Sequence, residues 1–357
     1  MPLLHLDDSL YSRANPYWIP PMNAWQINSN AGIDALTAVT LPTPQPGPHE
    51  IVVRVRAASL NYRDLLHVLG YVDQDRWPLV PCSDGAGDVI ATGPGVTRFA
   101  VGDQVAGTFF GRWNAGNISP AVMQSALGGR QPGMLAEHAL LSEEGAVAMP
   151  AGWSYAQAAT LPCAALTAWH ALVSKGRLRA GETVLVLGTG GVSLFAVQIA
   201  KMHGARVILT SSSDEKLARA RALGADETVN YRQHPAWEQH VLELTGGLGV
   251  DHVVEVGGAG TFEKSCAAAR FGGNIWLIGV LTGFEAMINP LSVLFKSLCV
   301  QGIYVGSREM FEAMNAAFSA NGLQPVIDRQ FSFADARAAF HCMQDAGHFG
   351  KLVITND

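Results

Sequence analysis

The chain of 357 residues is predicted to be an α/β protein in which a doubly wound parallel sheet accompanies an irregular antiparallel barrel. Three observations predict this. The length is about two domains' worth of chain. From Pro150 onward, short β-branched runs alternate with amphipathic helical stretches, the rhythm of a parallel sheet. Before Pro150, short strand-like runs are split by Gly and Pro turns, as in a barrel.

Composition narrows the class. Hydrophobic residues make up 48% and charged residues only 15%, a balance that excludes disorder. The net charge of -6, without a basic block, argues against nucleic acid as a partner. Low charge with a mean hydropathy of +0.16 points to surface hidden in an oligomer. Cys82, Cys163, Cys266, Cys299 and Cys342 are too scattered for a disulfide scaffold and fit free thiols in a reducing, cytoplasmic setting. No secretory signal is read at the start. Residues 183–200 carry no charge, but Gly188-Thr189-Gly190-Gly191 at their centre favours strand, turn and helix over a membrane span.

In chain order, residues 1–21 hold Pro2, Pro16, Pro20 and Pro21 and read as an N-terminal extension. Ala24–Ile27 opens an edge strand, residues 42–48 form a proline-stiffened loop, and Ile51–Ala57 is a strand with one wetter face. Glycine-punctuated segments follow around 85–95 and 102–107. The loop 109–133, with a short helix near 121–127, is expected beside a cleft because loops this long are usually functional. Residues 155–173 read as helices broken near Pro162. Strands are then expected at 183–187, 206–209, 228–229, 250–256, 274–280 and 298–304, with helices at 192–203, 215–223, 237–244 and 262–269. The tail supplies helices at 309–320 and 335–344 and a strand at 351–355. It is expected to fold back on the first unit, giving domains at 22–152 plus 304–357 and at 153–303.

Strand 183–187 runs into Gly188-Thr189-Gly190-Gly191-Val192-Ser193. Gly188 allows the turn, Gly190 lets backbone approach a pyrophosphate, and Gly191 and Val192 open a helix whose N-terminus offers N–H groups. Ser193 stands where the fingerprint has a third glycine and is small enough to pack. This strand–turn–helix within further β-α units is a Rossmann-type dinucleotide site. After the next strand comes Thr210-Ser211-Ser212-Ser213 with Lys216, and no carboxylate to hold both ribose hydroxyls. That favours NADPH over NADH, against the alternative of an ordinary helix cap with a solvated Lys216. Gly257 and Gly279 are candidate contacts for the nicotinamide half, or turn and packing residues.

The chain resembles the medium-chain dehydrogenase/reductase superfamily, especially its zinc-free quinone-oxidoreductase-like branch, over residues 22–357. The motifs are Asn61-Tyr62-Arg63-Asp64, Gly85-Ala86-Gly87, Leu161 to Trp169, Gly188 to Ser193, Leu223-Gly224-Ala225-Asp226, Asn230-Tyr231 and His348-Phe349-Gly350-Lys351. The resemblance implies that the first unit is a GroES-like barrel. The positions that bind catalytic zinc in the family's alcohol dehydrogenases match Asn61, Ser83 and Cys163, a set that suits zinc poorly. It has no four-cysteine structural-zinc lobe. The resemblance also implies that Asn61 bonds the cofactor or substrate and that Asp64 orients its loop. It puts Lys216 and Tyr231 with Ser211 on the 2′-phosphate, Thr167 on the nicotinamide side, Arg308 on a cofactor-facing loop and Tyr71 near the pocket. The alternative for Arg308 is a surface pair with Glu309 or Glu312. His67 is a further candidate facing the pocket, while His170 and Cys163 are read as packing residues.

The expected activity is NADPH-dependent hydride transfer to a quinone or α,β-unsaturated carbonyl without a metal, with Asn61, Tyr62 or an ordered water stabilising the developing oxyanion. The alternatives are a zinc-independent carbonyl reductase or alcohol dehydrogenase, and a non-catalytic NADPH-binding protein. Strand 300–304 is expected to pair across a two-fold axis in a homodimer. Neither nucleic acid nor membrane is an expected partner.

Overall fold

A computed structural model describes residues 20–72 and 77–356, so the expected N-terminal extension lies outside the described residues except for Pro20 and Pro21. The first half supplies β1 (Met22–Ile27), β2 (Leu36–Leu41), β3 (Glu50–Ser59), β4 (Asp84–Thr92), β5 (Gln104–Gly107), β6 (His138–Ser142) and β7 (Ala146–Ala148). The β-α region supplies β8 (Thr183–Leu187), β9 (Arg206–Ser211), β10 (Glu227–Asn230), β11 (Val250–Glu255), β12 (Ala269–Leu277) and β13 (Cys299–Gly302). The tail adds β14 (Ile327–Ser332) and β15 (Lys351–Thr355).

β8 to β13 form one sheet in the order β10-β9-β8-β11-β12-β13, parallel throughout. This is the Rossmann order, with the strand sequence reversing between β8 and β11. β8 reads Thr-Val-Leu-Val-Leu because both its faces are covered by helices, and Val184 to Val186 are fully buried. The helix Gly191–Met202 turns Leu194, Phe195, Val197 and Ile199 onto the sheet.

The second sheet runs β14-β15-β3-β4-β5-β7, with β6 also on β3. It is antiparallel except for the β14–β15 pair, and it takes strands from both ends of the chain. Its core gathers Ile51, Val53, Val89, Leu135, Leu352 and Ile354. β1 and β2 make a separate antiparallel ribbon.

The helices 155–158 and 161–175 are separated at Ala159 and Thr160, close to Pro162 as expected, and the proline itself lies in the first turn of the second stretch, where its missing N–H costs nothing. One strand was not expected and two boundaries need correction. β14 carries no sequence signal, because Asp328, Arg329 and Gln330 interrupt any apolar alternation on this edge strand. β12 begins at Ala269 and ends at Leu277, earlier than expected, and the short helix near 121–127 is confined to Pro120–Met123.

Candidate active site

β3 ends at Ser59, and Asn61 immediately precedes the helix Tyr62–Val68. The Asn61 backbone N–H donates to Asp64 Oδ2 at 2.8 Å, so a side chain one turn along the helix anchors the residue that starts it. Ser83 and Asp84 arrive at the head of β4, and Cys163 comes from the stretch Leu161–Ala165. Tertiary structure brings them together. Asn61 Nδ2 faces Ser83 Oγ at 3.4 Å, Ser83 Oγ donates to Asp84 Oδ1 at 2.6 Å, and Cys163 N donates to Asp84 Oδ2 at 3.0 Å.

Lys351, the first residue of β15, completes this network. Its buried ammonium donates to Leu60 O and Asn61 Oδ1, both at 2.6 Å. Burial pushes the Asp84 carboxyl up, opposed first by the Lys351 charge and then by the bonds from Ser83, Asn61 and Cys163 N. The Cys163 thiol is pushed far up by burial and by Asp84, which disfavours the thiolate a nucleophile needs.

In the first turn of the same helix, Arg63 donates to Leu127 O at 2.7 Å, approaches His67 Nε2 at 2.7 Å, and lies over the Phe109 ring at 4.7 Å. The loop 109–133 is thereby packed against the helix that begins after Asn61. Burial followed by Arg63 holds His67 down at about 3, so the ring is neutral. Burial raises Asp64 to about 6 in spite of Arg63. Tyr62 and Tyr71 are largely exposed, and Tyr71 stands 6.1 Å from Phe284 of the nucleotide half.

The glycine turn after β8 has the shape a pyrophosphate requires. Gly188 has φ +73, and a Cβ added at Gly188 or Gly190 would meet nothing within 4 Å. No side chain caps the helix that begins at Gly191, leaving its first N–H groups for a ligand. Ser193 Oγ donates to Leu187 O at 2.7 Å, so this serine closes the turn by a hydrogen bond where the fingerprint uses a third glycine. A dinucleotide pyrophosphate fits this cradle of Gly188, Gly190, Gly191 and Val192.

The remaining candidates lie on separate elements. Ser211 is buried at the end of β9, and Tyr231 N donates to its carbonyl at 3.0 Å. Ser213 caps the next helix by accepting from Lys216 N, and Lys216 Nζ donates to Ala346 O at 3.0 Å. Thr167 is buried one helical turn after Cys163. Gly257 and Gly279 are tightly enclosed: a Cβ would come within 2.2 Å of Thr261 Oγ1 and of Val256 O, respectively. Arg308 pairs with Glu144 and approaches Glu312 at 3.7 Å. His170 Nδ1 lies 2.7 Å from Val305 O.

Sequence reasoning singled out neither Lys351 nor Arg63 as a site residue. The available signal for Lys351 was a cation heading the otherwise apolar run Leu352-Val353-Ile354. Among the described residues, no group of three or more His, Cys, Asp or Glu side chains is placed to hold a metal.

A Rossmann sheet joined to a barrel, with an open glycine turn near a buried polar network, defines an oxidoreductase fold of the nicotinamide dinucleotide class. Residues 47–151 match the alcohol dehydrogenase GroES-like domain, and residues 191–320 match the zinc-binding dehydrogenase family. A zinc-type alcohol dehydrogenase-like protein of Schizosaccharomyces pombe is 40% identical over 335 residues, covering 92% of this chain and 97% of the relative. A quinone oxidoreductase of Pseudomonas aeruginosa is 34% identical over 308 residues, covering 83% and 87%. The crystal structure of an NAD-dependent alcohol dehydrogenase is 36% identical, with a TM-score of 0.87 over 94% of this chain and 100% of that one. The chain belongs to the medium-chain dehydrogenase/reductase superfamily.

Proposed function

We propose that this protein is an NADPH-dependent reductase of quinones or α,β-unsaturated carbonyl compounds that uses no catalytic metal. The observation carrying this reading is the network at the family's zinc position. Asn61 and Ser83 stand at two of the three ligand positions as neutral oxygen and nitrogen groups engaged with Lys351 and Asp84. Such donors are a poor set for zinc. Activated acceptors need less polarisation than a simple ketone, and the Asn61 amide N–H can donate to an oxygen on which charge develops.

When bound, the reduced dinucleotide supplies the hydride. The chain's own work is to hold the cofactor on the turn at Gly188 to Val192, to present Asn61, and to keep water from the acceptor. Thr167, Gly257, Gly279 and Arg308 are proposed on the cofactor side, and Tyr62, Asp64, His67 and Tyr71 around the acceptor. Ser211, Lys216 and Tyr231 are proposed at the 2′-phosphate, supported by the lack of a carboxylate at the end of β9. We place the domain boundaries at 22–152 plus 304–357 and at 153–303.

β13 is the edge of the nucleotide sheet, and Val300 and Tyr304 are exposed, which supports a homodimer paired along that edge. Five free cysteines support a cytoplasmic setting. No helix among the described residues is long and apolar enough to cross a membrane.

A second reading, a zinc-independent carbonyl reductase or alcohol dehydrogenase, is favoured by the similarity to alcohol dehydrogenases. The deciding experiment tests NADPH and NADH against benzoquinones, linear enones, saturated ketones and alcohols, with metal analysis of the same sample. Turnover of quinones or enones with NADPH is expected, and Asn61→Ala should lower kcat/KM at least about tenfold. Preference for saturated ketones or alcohols would favour the second reading. NADPH binding without any turnover would mark a non-catalytic binding protein.

A further inference from the structure

Lys351 is a buried cation to which the proposed reaction gives no role. It lies in the last strand, 290 residues from Asn61 in sequence, yet its ammonium bonds the Asn61 side chain directly. An ammonium has donors only, so it holds the oxygen of the amide on its own side. Nδ2 is thereby turned away, toward Ser83 Oγ at the long distance of 3.4 Å and toward the Asp84 carboxyl. The bond to Ser83 is long, so an acceptor oxygen can compete for that amide N–H.

The same tail residue also braces the cofactor turn. A Cβ on Gly191 would lie 2.6 Å from Lys351 Cδ, so the lysine stem runs directly beneath the start of the dinucleotide helix. Next to it, Gly350 N donates to Thr189 O at 3.0 Å, and Gly350 bridges to Gly190. The stem thus packs at the pyrophosphate turn while the head engages Asn61.

We propose that Lys351 is a positioning residue: its ammonium fixes the Asn61 amide with Nδ2 toward the acceptor oxygen, and its stem sets that amide relative to the turn at Gly191. The role rests on the reductase reading for its catalytic consequence, but the orientation of the amide is a property of the protein alone.

The test uses Lys351→Met, which keeps the stem and removes the ammonium. A nitrogen–hydrogen correlation spectrum reads the Asn61 side-chain amide, identified by its loss in Asn61→Ala, without any turnover. In Lys351→Met that signal should move or broaden. NADPH affinity should stay within about twofold. On an enone or benzoquinone, kcat should fall at least about tenfold at unchanged KM. The double variant Asn61→Ala/Lys351→Met should be no slower than Asn61→Ala alone, because the lysine acts through the amide.

An unmoved Asn61 signal, or losses that multiply in the double variant, would overturn the proposal. Weakened NADPH binding with unchanged kcat would also overturn it, making Lys351 a cofactor ligand. If Lys351→Met does not fold, Lys351→Arg keeps the charge near Asp84 but cannot reproduce both 2.6 Å bonds, and the same readings apply. A wild-type protein with no turnover would count against the reductase reading only, and the amide spectrum would then decide the role of Lys351.

Discussion

After β8 the chain turns through Gly188 and Gly190, where an added Cβ would meet nothing within 4 Å; after β11 it turns through Gly257, where the same atom would lie 2.2 Å from Thr261 Oγ1. The helix that follows the first turn has no side-chain cap. The second turn supplies its own anion. Glu255, fully buried, accepts from Gly257 N at 2.8 Å, Gly258 N at 2.9 Å and Thr261 Oγ1 at 2.6 Å, and also from Ser265 Oγ. Both turns are glycine-rich ends of parallel strands, but the first leaves its side open and its helix uncapped, whereas the second satisfies the N–H groups of Gly257 and Gly258 with Glu255. A glycine's presence therefore says that backbone must come close to something, and only the fold says to what.

The largest expected effect tests the closed turn. Glu255→Ala would leave two buried N–H groups and two hydroxyls without their acceptor, and should cost about 3 kcal/mol of stability in urea denaturation. A loss under about 1 kcal/mol would mean that the Glu255 side chain is not what closes the turn.

Paired glycine substitutions separate the two turns further. Gly279→Ala forces a Cβ against Val256 O and should destabilise the fold by about 2 kcal/mol. Gly190→Ala has free space and an ordinary backbone conformation, so its unfolding midpoint should match wild type. Its dinucleotide affinity should nevertheless drop at least about tenfold, or about 1.4 kcal/mol, because the new methyl occupies the approach to the pyrophosphate. Thermal unfolding and fluorescence titration separate the two signatures. A destabilised Gly190→Ala that binds normally would reverse the assignment of the open turn.

The turn after β9 lies between these extremes. Ser213 caps its helix, as an ordinary cap would, yet Lys216 reaches across to Ala346 O rather than into solvent. Burial lowers the Lys216 pKa, partly offset by Asp328. Lys216→Ala should erase most of an expected tenfold preference for NADPH over NADH, about 1.4 kcal/mol, with NADH affinity unchanged. Equal wild-type affinities for the two cofactors would leave only the capping role.

The smallest effect concerns the barrel side of the site, where charge balance rather than glycine sets the surroundings. His67 is held down from 6.5 to about 3 in the folded protein, so the unfolded chain takes up its proton first. Its contribution to stability is present above pH 6.5 and is lost as pH falls toward about 3. Asp64, raised from 3.8 to about 6, works the other way: its contribution is present below 3.8 and is lost as pH rises through about 6. His67→Gln removes the first effect, so its stability should fall about 1 kcal/mol less than wild type on acidification from neutral pH to mildly acid pH. Denaturant titrations at both pH values would read the difference, and parallel losses in the two proteins would discard it.

Much of this organisation is legible in the sequence. The continuous apolar run Thr183–Leu187, the glycines behind it and the apolar face of the following helix are local patterns, and they mark the dinucleotide turn without tertiary information. β14 escaped that reading because an edge strand is held by one neighbour's backbone rather than by buried side chains. The Asn61 and Ser83 substitutions at the zinc positions are visible by motif, but what binds them is not.

The alternation of strands and helices, the position of the dinucleotide turn and the neutral residues at two zinc-ligand positions are all written in the chain's local order. Periodicity and turn chemistry act over a few residues, so they are written locally. The tertiary structure decided which glycine turn is open, that Glu255 closes the other, and that Lys351 meets Asn61 across 290 residues. Those contacts depend on β15 lying beside β3 in the barrel sheet and against the nucleotide turn. Sheet register between distant segments leaves no spacing in the chain, and so only the folded molecule contains it.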